Sequence, residues 1–409
     1  MTGGGVTTCR LCGATEPREL LDLGSHPIAH HFLRDPGASE YTHPVSVAVC
    51  DACALIQLLD PVPPELLYSE YVTLSSWKHQ PHVPRLLELL ADERRLDTGA
   101  SVLEIGSNDG GFLEALRAAG YSRLLGVEPA EDARAGAAER GVPTIGEYFD
   151  SRLARRLVDE HGRFDLFVAR QVLEHIERLD ELGAAMRGAL APGALVLVEV
   201  PNFGFALETR DYSAIWEEHV NYFTLETLSH YLESVGVRIL HSETALFSGE
   251  ILIVLGEYTG APGASGPGAH VPDSVETANR YAREWPATRS RLAAELGEHR
   301  DGGGRIAVYG AGCRACSLIN YAEIAPYVDF VVDDQPEKQR LFMPGSRLPI
   351  LPSDALVSEG IDLCLLAVNA ENEERVIARH DRFREGGGRF ASLHPPSERL
   401  VAPLRPVHA

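Results

Sequence analysis

Val102-Leu-Glu-Ile-Gly-Ser-Asn-Asp-Gly-Gly-Phe-Leu113 reads as a strand, a tight turn and the start of a helix. The apolar run Val102–Ile105 stops at Gly106, and Phe112, Leu113 and Leu116 then recur at helical spacing. Gly106, Gly110 and Gly111 allow positive φ and let the backbone approach a ligand closely. Glu104 stands near the strand end, and Ser107, Asn108 and Asp109 put polar groups in the turn. About twenty residues on, Glu128 closes a second run, Leu124–Glu128. An acid there is placed to accept hydrogen bonds from the two ribose hydroxyls of an adenosyl group. Without that second acid, the glycine-rich turn would be an ordinary strand–helix turn of some α/β domain.

Glu104-Ile-Gly-Ser-Asn-Asp-Gly110 resembles motif I of class I S-adenosylmethionine (SAM) methyltransferases. The version here looks most like that of sugar C-methyltransferases acting on nucleotide-linked deoxysugars.

The chain of 409 residues is too long for one ordinary core, so two or three domains are expected. Hydrophobic residues make up 44% and charged residues 23%, the balance of a soluble globular protein. No run reaches membrane-spanning length and the N-terminus lacks the apolar core of a signal peptide, so a cytoplasmic location is expected. The net charge of −22 argues against binding nucleic acid or an anionic membrane through a broad basic surface. A small anionic ligand held by backbone N–H groups and one or two Arg stays compatible with it. Neither composition nor charge speaks to oligomeric state.

Cys9-x-x-Cys12 and Cys50-x-x-Cys53 supply four thiolates in two short turns, the pattern of a structural zinc site filled entirely by protein ligands. A small subdomain must lie between the pairs. The remaining Cys313, Cys316 and Cys364 lie far downstream, and the odd total argues against a disulfide framework. Tyr71, Ser75 and Ser76 sit in a hydroxyl-rich stretch after a Pro-rich turn, and a helix is expected over 80–98.

From 99 to about 258 strands and helices alternate, which predicts a doubly wound parallel sheet with strands at 101–105, 123–127, 164–169, 194–199 and 251–256. Tyr148 or Phe149 is available to pack on an adenine, and either is equally suited to the core. Gln171 ends the fourth strand, at the sheet edge where ligands bind, and His175 follows it. Glu218 and His219, among Trp216, Asn221 and Tyr222, are a candidate base and its neighbour. A lone His in such a place is more often structural; adjacent residues do not face each other on a helix or strand, so if the pair is catalytic, one could be the base and the other a substrate ligand.

Residues 259–273 form a Gly/Pro-rich linker, followed by a helix from Ser274 to about Glu298 that Pro286 could kink. Then Ile306-Ala-Val-Tyr-Gly310-Ala-Gly312-Cys-Arg-Ala315 fits G-x-G-x-x-A after a strand, with Asp333 or Asp334 ending the next. By itself this fingerprint makes an NAD-dependent oxidoreductase the competing reading.

The whole order is similar to the nucleotide-sugar C-methyltransferases of antibiotic deoxysugar pathways, over roughly residues 7 to 395. The resemblance implies an α/β chain of a zinc-binding domain (1–80), a SAM methyltransferase domain (81–258), the linker, and a Rossmann-like substrate-binding domain (274–409) that holds no NAD. It implies a small-molecule substrate, a dTDP-linked 4-keto sugar between the last two domains, with His219 as base and Glu218 assisting. Tyr71, Ser75, Ser76, Trp216, Asn221, Tyr222, Arg314 (a Lys in the family) and Asn369 would line that substrate. A C–H beside a ketone is acidic because its carbanion is an enolate. A base takes the proton, donors hold the enolate oxygen, and the carbon attacks the methyl group. Related enzymes carry Tyr where Trp216 stands, and a second Tyr near Thr73, so two phenols expected near the ketone are absent. That leaves O- or N-methylation of another sugar or metabolite as the alternative within the same fold.

Overall fold

The computed structural model describes residues 8–67, 80–92, 96–260 and 271–405. Tyr71, Ser75, Ser76 and most of the linker lie outside the described residues. Three sheets form among those that are described.

Strands Arg18–Pro27 (β1), Thr42–Val49 (β2) and Ile56–Leu58 (β3) pair antiparallel; β1 and β2 lie between the two cysteine knuckles and β3 follows the second. Val45, Val47 and Val49 alternate along β2 and all enter one core, as a period of two requires.

The central sheet uses Ser101–Ile105 (β4), Arg123–Val127 (β5), Thr144–Ile145 (β6), Phe164–Arg170 (β7) and Leu190–Pro201 (β8), all parallel. Asn221–Tyr222 (β9) leaves this domain to pair with β3 of the N-terminal sheet. Val237–Leu246 (β10) and Glu250–Tyr258 (β11) form a hairpin, and β11 pairs antiparallel with β8. The order is β10-β11-β8-β7-β4-β5-β6, so the expected all-parallel sheet ends in an antiparallel pair. A hairpin turn through Ser248 and Gly249, both at positive φ, reverses the chain where a crossover helix would have kept it parallel. The expected helix over 80–98 is the shorter Val83–Asp92.

The chain leaves β4 toward β5 and β6, then crosses back to β7 on the other side. Ligands of open α/β sheets bind in the crevice at such a reversal, outside the carboxyl ends of the strands. The turns at 106–110 and 171–175 border it. Gly106, at φ +60°, is needed there twice over, because an added Cβ would lie 2.4 Å from Val172 Cγ2. Gly106→Ala is expected to destabilise the protein by about 2–4 kcal/mol from left-handed strain plus overpacking, read as a lowered melting temperature, and Val172→Ala should recover part of it. A melt unchanged by Gly106→Ala would contradict this packing.

Ile306–Tyr309 (β12), Phe330–Val332 (β13), Ile350–Leu351 (β14), Leu363–Leu366 (β15) and Arg389–Ser392 (β16) form the third, parallel sheet, in the order β14-β13-β12-β15-β16. The helix before it spans Val271–Asp301, longer than expected, and continues through Pro286. Packing holds it: the Tyr212 hydroxyl donates to the Tyr281 carbonyl at 2.9 Å, and the Tyr281 hydroxyl donates to the Asp211 carbonyl at 3.1 Å. One apolar core runs from Val47 and Tyr222 through Trp285 to Val308 and Leu365, so the outer sheets share a core. No helix among the described residues is long and apolar enough to cross a membrane.

Candidate functional site: a methyl-transfer centre between three sheets

The cysteine knuckles are built alike. Cys9 N–H donates to the Ala14 carbonyl and Cys50 N–H to that of Leu55, and the residue after each second cysteine, Gly13 and Ala54, takes positive φ. Sγ of Cys9 lies 3.6 Å from that of Cys53, and Cys12 Sγ 3.6 Å from Cys50 Sγ, with all four within 4.8 Å of one another. A tetrahedron with Zn–S of about 2.3 Å has edges of roughly 3.7 Å, whereas a disulfide needs about 2.05 Å. The four thiols therefore fit zinc and leave no open coordination position.

At the β4 turn, Ser107 and Glu104 are buried, and Ser107 Oγ and Glu104 Oε2 have no hydrogen-bond partner among the described residues. Burial pushes the Glu104 carboxyl up to about 8, against the opposing pull of Arg170. Glu128 accepts the N–H of Asn108 at 3.0 Å on one oxygen and that of Ala130 at 2.9 Å on the other, so it braces the turn it faces. Gly110 starts the helix Gly111–Ala118 at φ +75°. Unpartnered polar atoms, a positive-φ turn and a braced acid at a sheet reversal fit an adenosyl-methionine ligand.

Asp109 is turned elsewhere: its carboxylate meets Arg140 at 2.8 Å and the Gly111 N–H at 3.1 Å. Phe149 packs on Phe167 at 5.8 Å, while Tyr148 is 71% exposed, which separates the two aromatic candidates into core and surface. Gln171, at φ +54°, donates its side-chain amide to Glu199 at 3.1 Å. Glu199 is also met by His82 at 2.9 Å and Arg170 at 3.3 Å.

Across the crevice lies the segment 216–222. His219 is buried, with its ring 3.9 Å from that of Trp216 and 4.8 Å, edge-on, from that of His175. Burial, and then His175, hold its imidazole well below the ordinary value, so it is neutral near pH 7. His175 Nδ1 lies 2.9 Å from the Glu218 carbonyl, which requires the proton on that nitrogen. The Glu218 carboxylate points the other way, to His30 Nδ1 at 2.8 Å. Burial would raise Glu218, but His30, with help from His175 and His31, holds it below the usual carboxylate range. Side chains of 218 and 219 diverge, as expected for neighbours in the chain.

Several expected substrate ligands are used differently. The Asn221 amide donates to the carbonyls of Leu173 and Ile176, and the Tyr222 hydroxyl donates to that of Trp216, so both polar groups shape the segment itself. Arg314 binds Asp211 and Ser213, with Ser248 at 3.4 Å, and clamps the C-terminal sheet to the central domain. Its buried guanidinium finds carboxylate and hydroxyl partners there. Asn369 is half-buried at the start of the helix Ala370–Ala378.

Three neighbours of the site went unread in the sequence. His30 comes from the N-terminal domain and Cys313 from the C-terminal one, and their ligand atoms and that of Glu218 lie within 4.8 Å of one another. Glu174 is buried beside His175 and His219, neither oxygen has a hydrogen-bond partner among the described residues, and burial pushes its carboxyl up to about 8. None carries a local motif; only the Glu174–His175 dipeptide after a strand hinted at the third.

The G-x-G-x-x-A turn is internally bonded at Ala311. Asp333 accepts the Ala311 N–H at 2.8 Å, and Lys338 Nζ donates to the Ala311 carbonyl at 2.9 Å. Asp334, the other candidate ribose acid, accepts from the Tyr309 hydroxyl at 2.7 Å. Asp333 and Lys338 thus form an ion pair, 3.5 Å apart, on the Ala311 peptide.

Fold and site together define a SAM-dependent methyltransferase with a four-cysteine zinc-binding domain. Family models match along the chain in the same order: a zinc binding domain over 9–68, a methyltransferase domain over 77–242 and a C-methyltransferase C-terminal domain over 269–395. The chain is 30% identical over 412 aligned positions to the C-methyltransferase NovU of Streptomyces niveus, covering 97% of each. It belongs to that family of C-methyltransferases. Solved structures also align. A SAM-dependent methyltransferase from Archaeoglobus fulgidus is 18% identical over 48% of this chain and 100% of its own, at a TM-score of 0.37. Magnesium protoporphyrin IX methyltransferase from Synechocystis PCC 6803 with bound SAH is 15% identical over 46% and 90%, at 0.36.

Proposed function

We propose that this C-methyltransferase acts on a dTDP-linked 4-keto deoxysugar of natural-product biosynthesis, seated between the central and C-terminal domains. The observation that carries the reading is His219: a buried, neutral imidazole packed against Trp216 and His175, with the Glu218 carboxylate held by His30 on the other side of the chain. His219 takes the proton from the carbon next to the ketone. Glu218 holds the substrate or steadies the charge that appears on the imidazole. When bound, SAM supplies an electrophilic methyl group for that carbon. Glu128 holds the ribose, and Gly106, Ser107, Asn108 and Gly110 give the methionine and adenosyl portions a close backbone surface. Tyr148 covers the adenine. Much of the rate comes from holding carbon and methyl in contact geometry.

Glu128→Ala removes a charge-assisted acceptor and is expected to weaken SAM by about 1.5–3 kcal/mol. Calorimetry giving wild-type affinity would reject that assignment. The function itself is tested by incubating enzyme, SAM and a dTDP-4-keto-6-deoxysugar, and locating the new methyl by NMR. A carbon-bound methyl is the expected result; an O- or N-methyl product, or no turnover of any 4-keto sugar, would overturn the reading.

A further inference from the structure

The segment Ile28–Leu33 of the zinc-binding domain touches both other domains. Ala29 N–H donates to Glu217 at 2.6 Å, and His30 Nδ1 lies 2.8 Å from the next residue's carboxylate, Glu218 Oε1. Two adjacent residues of one domain thus grip two adjacent residues of the catalytic segment. On the far side Leu33 and Phe342 exchange backbone hydrogen bonds at 3.0 and 2.8 Å, tying the segment to the C-terminal domain.

His30 is held from both ends. Its Nε2 lies 2.9 Å from the Leu67 carbonyl, an oxygen that can only accept, so Nε2 carries a proton. Its Nδ1 faces a carboxylate oxygen. Glu218 Oε1 stands at ion-pair distance from that nitrogen, with little water between two largely buried groups. An ionised carboxylate that close favours the charged form of the ring, an imidazolium. The directions agree: burial alone would lower His30, yet Glu218, then Glu217 and the Leu67 carbonyl, raise it above the ordinary value. The groups facing this pair are Glu217 and His31 along the chain, His175 behind Glu218, and the Cys313 thiol, kept neutral by burial.

We infer that His30 is a positioning residue for C-methylation: as an imidazolium between Leu67 and Glu218 it fixes the Glu218 carboxylate in the site, so that the zinc-binding domain completes the catalytic centre. The inference rests on the role proposed for Glu218 and His219. Because the charge belongs to a group raised by folding, it is present at low pH and lost as pH rises through the folded value. Wild-type kcat should therefore fall on the basic side.

The test uses the full chain with its zinc. His30→Gln should lower kcat on the order of tenfold to a hundredfold, with SAM affinity and zinc content unchanged, and should remove the basic limb of the profile. His30→Lys, a cation that persists to higher pH, should restore part of kcat and move that limb upward. In the wild-type protein, nitrogen NMR of labelled histidines should show the His30 ring doubly protonated at pH 7, a measurement that needs no variant because the ring is assigned by through-bond correlation to the His30 backbone. A neutral His30 ring, or a His30→Gln enzyme with wild-type kcat and profile, overturns the inference. If His219→Asn is also fully active, the proposed base has failed; if His219→Asn is inactive while His30→Gln is normal, only the role of His30 has failed.

Discussion

His219→Asn lowers turnover by about 10²–10⁴, the contribution of a positioned general base, while SAM affinity stays near wild type. Asparagine keeps much of the shape and part of the hydrogen bonding but cannot accept a proton at neutral pH. The same variant fails to exchange solvent deuterium into the carbon beside the ketone, an assay independent of methyl transfer. Glu218→Gln is milder if Glu218 orients or holds substrate; abolition of exchange by Glu218→Gln alone would reverse the roles. The pH dependence has a definite sign. Burial and His175 depress the His219 imidazole, so it stays a free base through pH 6.5 and is lost only below that. An acid limb in kcat/KM at or above 6.5 would show that a different group is the base. Methyl transfer without any such exchange, or a product without a new C–C bond, would sink the enolate mechanism.

Removal of zinc unfolds the N-terminal domain and abolishes activity with it. Structural zinc sites in small domains carry apparent binding free energies of about 10–16 kcal/mol, comparable to the whole stability of a domain. Zinc loss reaches the chemistry directly here. Arg10, between Cys9 and Cys12, donates to the carbonyls of Leu58 and Val220 at 2.9 and 3.0 Å, and Val220 is the neighbour of His219. Pairing of β9 with β3 fixes Asn221 and Tyr222 to the same sheet. Elemental analysis should give one zinc per chain. Chelation should lower helix- and sheet-independent signals of tertiary packing and turnover in parallel. Full activity in a reduced, metal-free sample would refute both the site and its coupling to catalysis.

Glu104–Leu113, Glu128 and the two cysteine pairs are legible in the sequence because each is a local device. A turn needs its glycines, a ribose acid sits a fixed distance along a strand–helix–strand unit, and a zinc knuckle closes within a few residues. The parallel strands are legible for the same reason, since burial on both faces writes continuous apolar runs such as 166–169. Tertiary structure alone decided which polar groups face the crevice. The Asn221 amide nitrogen and the Arg314 guanidinium meet partners from distant segments of the fold, and the Tyr222 hydroxyl meets the Trp216 carbonyl. His30, Cys313 and Glu174 carry no motif, and long-range packing brings them beside Glu218 and His219. The shared core from Val47 through Trp285 to Leu365 joins segments hundreds of residues apart. Such contacts depend on how whole sheets dock, and local spacing along a chain records the period of an element but not its neighbour.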